Sequence, residues 1–375
     1  MKRHIYDKIL ADLKQKMVFI TGPRQVGKTY LAKMLMKEYR NPQYLNFDNV
    51  EDARIIRSRS WPINNDLLIL DEIHKMKFWK KHLKGIYDSK NLEQSILVTG
   101  SSRMDTFRQG GESLAGRYFH YRLLPISVKE FDISLSPFDK LEAIMRLGGF
   151  PEPLLSGSEE FAARWRSQYY TDLIREDIIE FDRVQEIKSM KFLLETLRER
   201  VGAPISYAAL ARDLGISPVT VKKYIDILEA LYIIFTVRPY SKKIARSIVK
   251  EPKVYFYDTG YVKADKGRIF ENACAVCLQK HIFYLIDSQG QNTSLNYIKT
   301  KSGQEVDFVL VKDDVVTHIG EAKLSDNSIS SSLRNFSRKL PDAVSIQLVH
   351  NLKKEEYIGG VSVRLASEWL NDLSA

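Results

Sequence analysis

The sequence predicts an α/β fold whose first domain is a parallel sheet carrying a phosphate-binding loop, and three observations predict it. A short apolar run, Met17-Val18-Phe19-Ile20, leads into Gly22-Pro23-Arg24-Gln25-Val26-Gly27-Lys28-Thr29 and then into the helix-like Tyr30-Leu31-Ala32-Lys33-Met34-Leu35-Met36. A second apolar run, Leu67-Leu68-Ile69-Leu70, ends in Asp71-Glu72. A third, Ser95-Ile96-Leu97-Val98-Thr99-Gly100, ends in Ser101-Ser102-Arg103. Strands alternating with helices make a parallel sheet. Such sheets bind ligands at the carboxyl ends of their strands, so the three run ends are expected to face one site.

The chemistry of these residues points to a nucleoside triphosphate. Glycines let the loop curl until successive N–H groups point at one anion. Gly22, Pro23, Arg24, Gln25, Val26, Gly27, Lys28 and Thr29 are therefore expected to bind ATP. Lys28 supplies a point charge for the β- and γ-phosphates, Thr29 offers its hydroxyl to Mg²⁺, and the following helix adds its positive end. Asp71 is expected to hold Mg²⁺, usually through water. Glu72 is expected to orient and deprotonate the attacking water. Ser101 is a candidate catalytic sensor of the γ-phosphate, or else a helix cap. Arg117 is a candidate source of transition-state positive charge, from this subunit or a neighbour, or else a surface arginine in a salt bridge. Guanine-specific proteins of this type use an Asn-Lys-x-Asp run; none occurs, which favours ATP.

Composition sets the outer bounds. The 375 residues suffice for two or three domains, and a formal net charge of +10 fits a polyanion partner without requiring one. Cys274 and Cys277 are the only cysteines, too few for a disulfide framework, and read as small apolar residues of a helix. The N-terminus lacks the apolar stretch of a signal peptide and no run is long enough to span a membrane. A cytoplasmic protein with no membrane partner is expected. An oligomer is compatible with the sequence.

Further runs stand in a recognisable order: Asp71-Glu72-Ile73 with Trp79 downstream, Thr99-Gly100-Ser101-Ser102, Glu112-Ser113-Leu114-Ala115-Gly116-Arg117, Leu124-Pro125-Ile126-Ser127 with Glu130-Phe131, and Gly148-Gly149-Phe150-Pro151-Glu152. With these the chain resembles the prokaryotic AAA-type ATPases that carry a C-terminal domain of unknown function. The resemblance implies a P-loop AAA-type parallel-sheet domain with a helical lid, then a winged helix and a PD-(D/E)xK-like α/β domain of the restriction-endonuclease kind. The expected boundaries are 1–125 for the ATPase core, 126–200 for a helical lid and connector, 201–250 for the winged helix-turn-helix and 251–375 for the nuclease-like domain.

Within the third segment, the run from Ile205 stops at Gly215, and Ser217 caps a second helix with Pro218 at its first position. This is helix-turn-helix spacing. An apolar strand, Leu231 to Val237, follows, and Arg238-Pro239-Tyr240-Ser241-Lys242-Lys243 reads as a wing. Residues 201–250 hold eight Lys/Arg against three Asp/Glu, half of the chain's excess positive charge. Thr220, Lys222, Lys223, Lys242 and Lys243 are candidate DNA contacts. The competing reading is a winged helix that contacts only protein.

In the fourth segment, strands are expected at Leu295 to Thr300, Glu305 to Val311 and Val315 to Lys323. Alternation puts Glu321 and Lys323 on one face, with Asp307 level across the hairpin. Asp307, Glu321 and Lys323, with Glu271 at a helix start, form a candidate Mg²⁺ nuclease site. A solvated ion pair and a catalytically dead nuclease fold are the competing readings. Two functional readings follow: an ATP-hydrolysing enzyme coupled to DNA, and a slow ATP-dependent switch that binds a protein partner.

Overall fold

Both faces of the first sheet are covered, so its central strands are continuously apolar rather than alternating. In the computed structural model, residues 1–90, 93–100, 114–131, 134–175, 187–240, 250–325 and 328–375 are described. Their contacts divide the chain into two compact units. The first is Met1–Leu124 with the short segments Ala230–Tyr232 and Asp287–Gln289.

This first unit runs α1 (Tyr6–Leu13), β1 (Met17–Thr21), α2 (Lys28–Leu35), β2 (Pro42–Asn46), α3 (Val50–Ser58), β3 (Leu67–Asp71), α4 (Trp79–Ser89), β4 (Ser95–Thr99) and β5 (Tyr118–Arg122). Every pairing is parallel and the order is β2-β3-β4-β1-β5. The three central strands, β1, β3 and β4, are buried along their whole lengths. Asn49 starts α3 by accepting the N–H groups of Glu51 and Asp52. One core layer joins Phe19 of β1 to Leu68, Leu70, Val98 and, from α4, Trp79 and Leu83. Two consequences matter for the site. All carboxyl ends lie at one edge, and β4 is interposed between β1 and β3.

The second unit begins with helices, as the sequence suggests. These are α5 (Pro137–Leu147), α6 (Pro151–Ser156), α7 (Glu159–Leu173) and α8 (Ile187–Glu199). Ser136 and Ser158 cap α5 and α7. Next come α9 (Tyr207–Leu214), capped by Ser206, and α10 (Pro218–Ala230). Gly215 turns between them at φ +66°, a conformation few other residues adopt without strain.

The strands that follow are β6 (Ile234–Pro239), β7 (Lys253–Phe256), β8 (Thr293–Lys299), β9 (Glu305–Lys312), β10 (Val315–Lys323), β11 (Val344–Val349), β12 (Glu356–Ile358) and β13 (Val361–Leu365). They form one eight-stranded mixed sheet in the order β12-β13-β11-β10-β9-β8-β6-β7. The helices α11 (Lys266–Gln289), α12 (Ser331–Lys339) and α13 (Ala366–Asn371) complete the unit. Cys274 and Cys277 are both buried in α11, where burial pushes their thiols up.

Two expectations change. The strand after α10 starts at Ile234, not Leu231. The expected boundary at 250/251 falls inside a hairpin: β6 pairs antiparallel with β7 and parallel with β8, Arg238 opposite Asn296. The helix-turn-helix therefore feeds directly into the C-terminal sheet instead of standing apart. The sequence signal was misleading because the strand-like run and the wing pattern are local, whereas sheet membership is set by pairing some 60 residues downstream (Arg238 with Asn296).

Candidate functional site

The loop after β1 is bent by its glycines and held by side chains. Gly22 has φ +144°, and a Cβ there would lie 2.1 Å from the carbonyl oxygen of Leu123, so no other residue fits. Gln25 (φ +59°) and Gly27 (φ +97°) carry the rest of the curl, and α2 starts at Lys28. The Lys28 ammonium is buried and folds back into the loop, donating to the carbonyls of Gly22 at 3.0 Å and Pro23 at 2.7 Å. Arg3, only 4% exposed, donates to the carbonyls of Val26 (3.0 Å) and Leu124. It braces the loop from outside. Sequence reasoning missed it, because a lone arginine near the N-terminus carries no motif.

At the end of β3, the two carboxylates take different environments. Asp71 is buried and surrounded by hydroxyls. Its Oδ2 accepts from Thr29 at 2.8 Å and from Tyr44 at 2.7 Å, and its Oδ1 accepts from Thr99. Burial, then the bond to Asp71, drives the Tyr44 phenol up. Tyr44 and Thr99 were not among the predicted site residues, although Thr99 ends a strand that the sequence had marked. Glu72 follows with φ +55°, its N–H bonded to the carbonyl of Thr99 at 3.0 Å. Burial raises its pKa above the usual carboxylate range, opposed by the Lys28 ammonium. Left-handed backbone at a non-glycine residue is strained. Here it reverses the chain directly after Asp71.

Arg117 does not reach this site within its own chain. It precedes β5 at the amino-terminal edge of the sheet, where its carbonyl accepts from Met17 N–H at 3.1 Å. The length of β1, about 17 Å for five residues, separates it from the phosphate loop. Its guanidinium instead grips Asp88 at 2.8 and 3.2 Å. The expectation of catalysis from the same subunit is thereby corrected; strand polarity decides it. Ser101 lies outside the described residues, as do Glu112, Ser113, Lys242 and Lys243.

On α10, Lys222 and Lys223 are exposed beside Val219, and Thr220 exchanges a hydroxyl hydrogen bond with Ser217 at 2.9 Å. In the C-terminal sheet, the register that pairs Gly320 with Phe308 sets Glu321 beside Asp307. The Ala322 N–H donates to Asp307 Oδ2 at 3.2 Å. Lys323 Nζ lies 3.8 Å from Glu321 Oε2, and Ser330 donates to Glu321 Oε1 at 2.6 Å. Burial raises Glu321 to about 7, and its Asp307 neighbour adds to the rise. Burial also raises Glu271 to about 7, with the charge of Asp307 adding to it. The four expected residues do gather, but with two more that the sequence did not flag, Lys253 and Glu305. Among the described residues, no group of three or more His, Cys, Asp and Glu is arranged to hold a metal ion.

Comparison with known proteins agrees with the geometry of the first unit. Residues 14–132 match the family model described as an AAA domain. The chain contains an AAA domain of the P-loop ATPase class. Behind it, residues 138–267 match a domain of unknown function (DUF8612), and residues 266–365 match another (DUF4143). Curated relatives are uncharacterized proteins. One from Mycobacterium tuberculosis is 27% identical over 245 residues, covering 65% of this chain and 54% of the relative, so the chain spans about half the length of that protein. One from Methanocaldococcus jannaschii is 26% identical over 333 residues, 80% of this chain and 73% of the relative. One from Haemophilus influenzae is 22% identical over 385 residues, 94% and 93%. Among solved structures, a Thermotoga maritima RuvB variant has a TM-score of 0.31 at 19% identity, over 61% of this chain and 86% of that one. A Bacteroides Pif1 bound to ssDNA has a TM-score of 0.24 at 16% identity, over 40% and 47%. Among the described residues, no helix is long and apolar enough to cross a membrane.

Proposed function

We propose that this chain binds ATP at the loop 22–29 and hydrolyses it, and that the second unit couples the cycle to DNA. The observation that carries the reading is the hydrogen bond from Thr29 to Asp71, 2.8 Å long, between segments 42 residues apart. It brings a hydroxyl at a helix N-terminus and a buried carboxylate to one point beside the loop, which is what a metal-bound triphosphate needs. Asp71 suits a cation, since its hydrogen-bond partners are the neutral hydroxyls of Thr29, Tyr44 and Thr99. Thr29 and Asp71 would hold Mg²⁺, which when bound supplies Lewis-acid charge to the phosphate oxygens.

The chain's own groups do the rest. Loop amides bind and orient the phosphates. The Lys28 ammonium exchanges the carbonyls of Gly22 and Pro23 for phosphate oxygens. Glu72 takes the proton of the attacking water, and a pKa raised by burial makes it a stronger base than an exposed carboxylate. Binding of a fluorescent ATP analogue tests the first step: the parent chain binds it more tightly with Mg²⁺, and Lys28→Ala loses it.

For DNA, the support is the net positive charge of residues 201–250 and the exposed Lys222 and Lys223 on the second helix of a helix-turn-helix, read as a winged helix. Thr220, Lys222, Lys223, Lys242 and Lys243 are the proposed contacts. A second reading, a slow nucleotide switch that engages a protein partner, is favoured by the placement of Arg117. Arg117 of the same chain is held by Asp88 away from the loop, so on this reading turnover stays slow unless the Arg117 of a neighbouring subunit in an oligomer supplies that charge. DNA stimulation of turnover separates the two: present for the first, absent for the second.

A further inference from the structure

Three carboxylates converge inside the second unit, and a protein cation sits among them. Lys253 Nζ lies 2.6 Å from Glu305 Oε1, 3.1 Å from Asp307 Oδ1 and 3.2 Å from Glu271 Oε1. Its side chain is 1% exposed. An ammonium has three N–H donors and no acceptor, so each donor has its own carboxylate. The arrangement follows from three elements. Lys253 opens β7, Glu271 stands on the first turns of α11, and Glu305 and Asp307 share one face of β9 at alternate positions.

The second oxygens of Glu305 and Asp307 are also engaged. Lys299 reaches Glu305 Oε2 at 2.6 Å, and the Ala322 N–H reaches Asp307 Oδ2 at 3.2 Å. The Tyr255 hydroxyl donates at 2.6 Å to Glu271 Oε1, the same oxygen that Lys253 contacts. The contrast with Asp71 is chemical: hydroxyls ring that carboxylate, whereas an ammonium centres this cluster.

We propose that Lys253 is the resident cation of this carboxylate site, standing where a divalent metal would have to bind, and that the second unit therefore does not cleave phosphodiester bonds by metal-dependent chemistry. A hard divalent ion needs several oxygen ligands at about 2 Å. Here the oxygens close on nitrogen at hydrogen-bond distance, and a second cation would enter beside the buried Lys253 charge, which repels it. Glu321 does not supply a substitute site. Its Oε2 is buried without a hydrogen-bond partner, but its register neighbours are Asp307 on β9, already held by Lys253, and the neutral amide Gln347 on β11. In place of a metal, the ammonium ties β7, α11 and β9 together. Removing it takes away the cation that faces Glu271 and Asp307 and leaves Glu305 with Lys299, which either destabilises the unit or admits a metal.

The test uses the full chain without nucleotide and Mn²⁺ as the probe. Manganese binding is counted by electron paramagnetic resonance in the parent and in Asp307→Asn, and supercoiled DNA is incubated with each. The proposal expects the same number of bound ions in both and intact DNA. Thermal melting adds a gain-of-site arm: Lys253→Ala melts lower than the parent, and Mn²⁺ raises it by several degrees, whereas the parent is unmoved and the Lys253→Ala/Asp307→Asn double variant does not recover. One extra Mn²⁺ in the parent relative to Asp307→Asn, or Mn²⁺-dependent nicking that Asp307→Asn abolishes, overturns it. If Lys253→Ala does not fold, the comparison of parent and Asp307→Asn still decides.

Discussion

The hydroxyl of Thr29 donates to a carboxylate oxygen of Asp71 across 2.8 Å, and Tyr44 donates to the same oxygen across 2.7 Å. A helix start, the end of a central strand and the edge strand β2 thus meet at one atom. The interposed strand β4 adds the Thr99 hydroxyl on the other carboxylate oxygen. Tyr44→Phe removes one of these donors and leaves the ring. A lost hydrogen bond to a buried charged group is worth roughly 1.5–3 kcal/mol. Unfolding in urea is expected to show that loss, with Mg²⁺-ATP restoring part of it by binding the folded state.

Gly22→Ala is expected to weaken nucleotide binding before it abolishes folding. The added Cβ would lie 2.1 Å from the Leu123 carbonyl oxygen at a backbone φ of +144°. Backbone strain of about 1–3 kcal/mol corresponds to a loss of roughly 10- to 100-fold in affinity if the loop must reopen to bind. Titration with labelled ATP, alongside circular dichroism to confirm folding, checks it.

Acidity should reveal Glu321. Its carboxyl is raised to about 7 in the folded chain, mainly by burial, against an ordinary value of 4.5. The folded state therefore holds the proton more tightly than the unfolded one. That contribution favours folding at low pH and is lost as pH rises from about 4.5 through 7. Glu321→Gln, which keeps an oxygen for Ser330, is expected to stabilise the chain by about 2–3 kcal/mol at pH 8 and by nothing at pH 4. Denaturant midpoints at the two pH values measure it; equal effects at both would contradict the burial argument.

Much of the first unit was legible from the sequence. Glycine spacing, Lys28-Thr29 and Asp71-Glu72 are local, and the sheet brings them together because parallel strands share one carboxyl edge. Arg3, Tyr44 and Lys253 were not legible, since each acts on residues far away in the chain and none sits in a pattern. Lys253 offered one weak signal, a charge opening the apolar strand Val254-Tyr255-Phe256 that burial would force to find a partner. Arg117 was legible as an arginine with a possible partner but not as lying at the wrong end of its strand. That required the pairing of Tyr118 with Met17.

Removing the guanidinium tests that last point. Arg117→Ala is expected to leave ATP affinity unchanged in dilute, monomeric protein, because the side chain faces Asp88 rather than the loop. If turnover of the parent rises with protein concentration and that of Arg117→Ala does not, a neighbouring subunit supplies the charge.

Lys222→Ala and Lys223→Ala should weaken binding of DNA of any sequence. Each phosphate contact removed lowers the slope of log affinity against log salt by about 0.9. Fluorescence anisotropy at several salt concentrations measures it, and an unchanged slope would assign α10 to a protein partner.

The most direct measurement is steady-state ATP turnover with Mg²⁺ in the parent, Lys28→Ala and Glu72→Gln. The account predicts turnover in the parent, none in Lys28→Ala for want of bound nucleotide, and retained binding with turnover lowered at least about 100-fold in Glu72→Gln. Equal turnover in all three would contradict it.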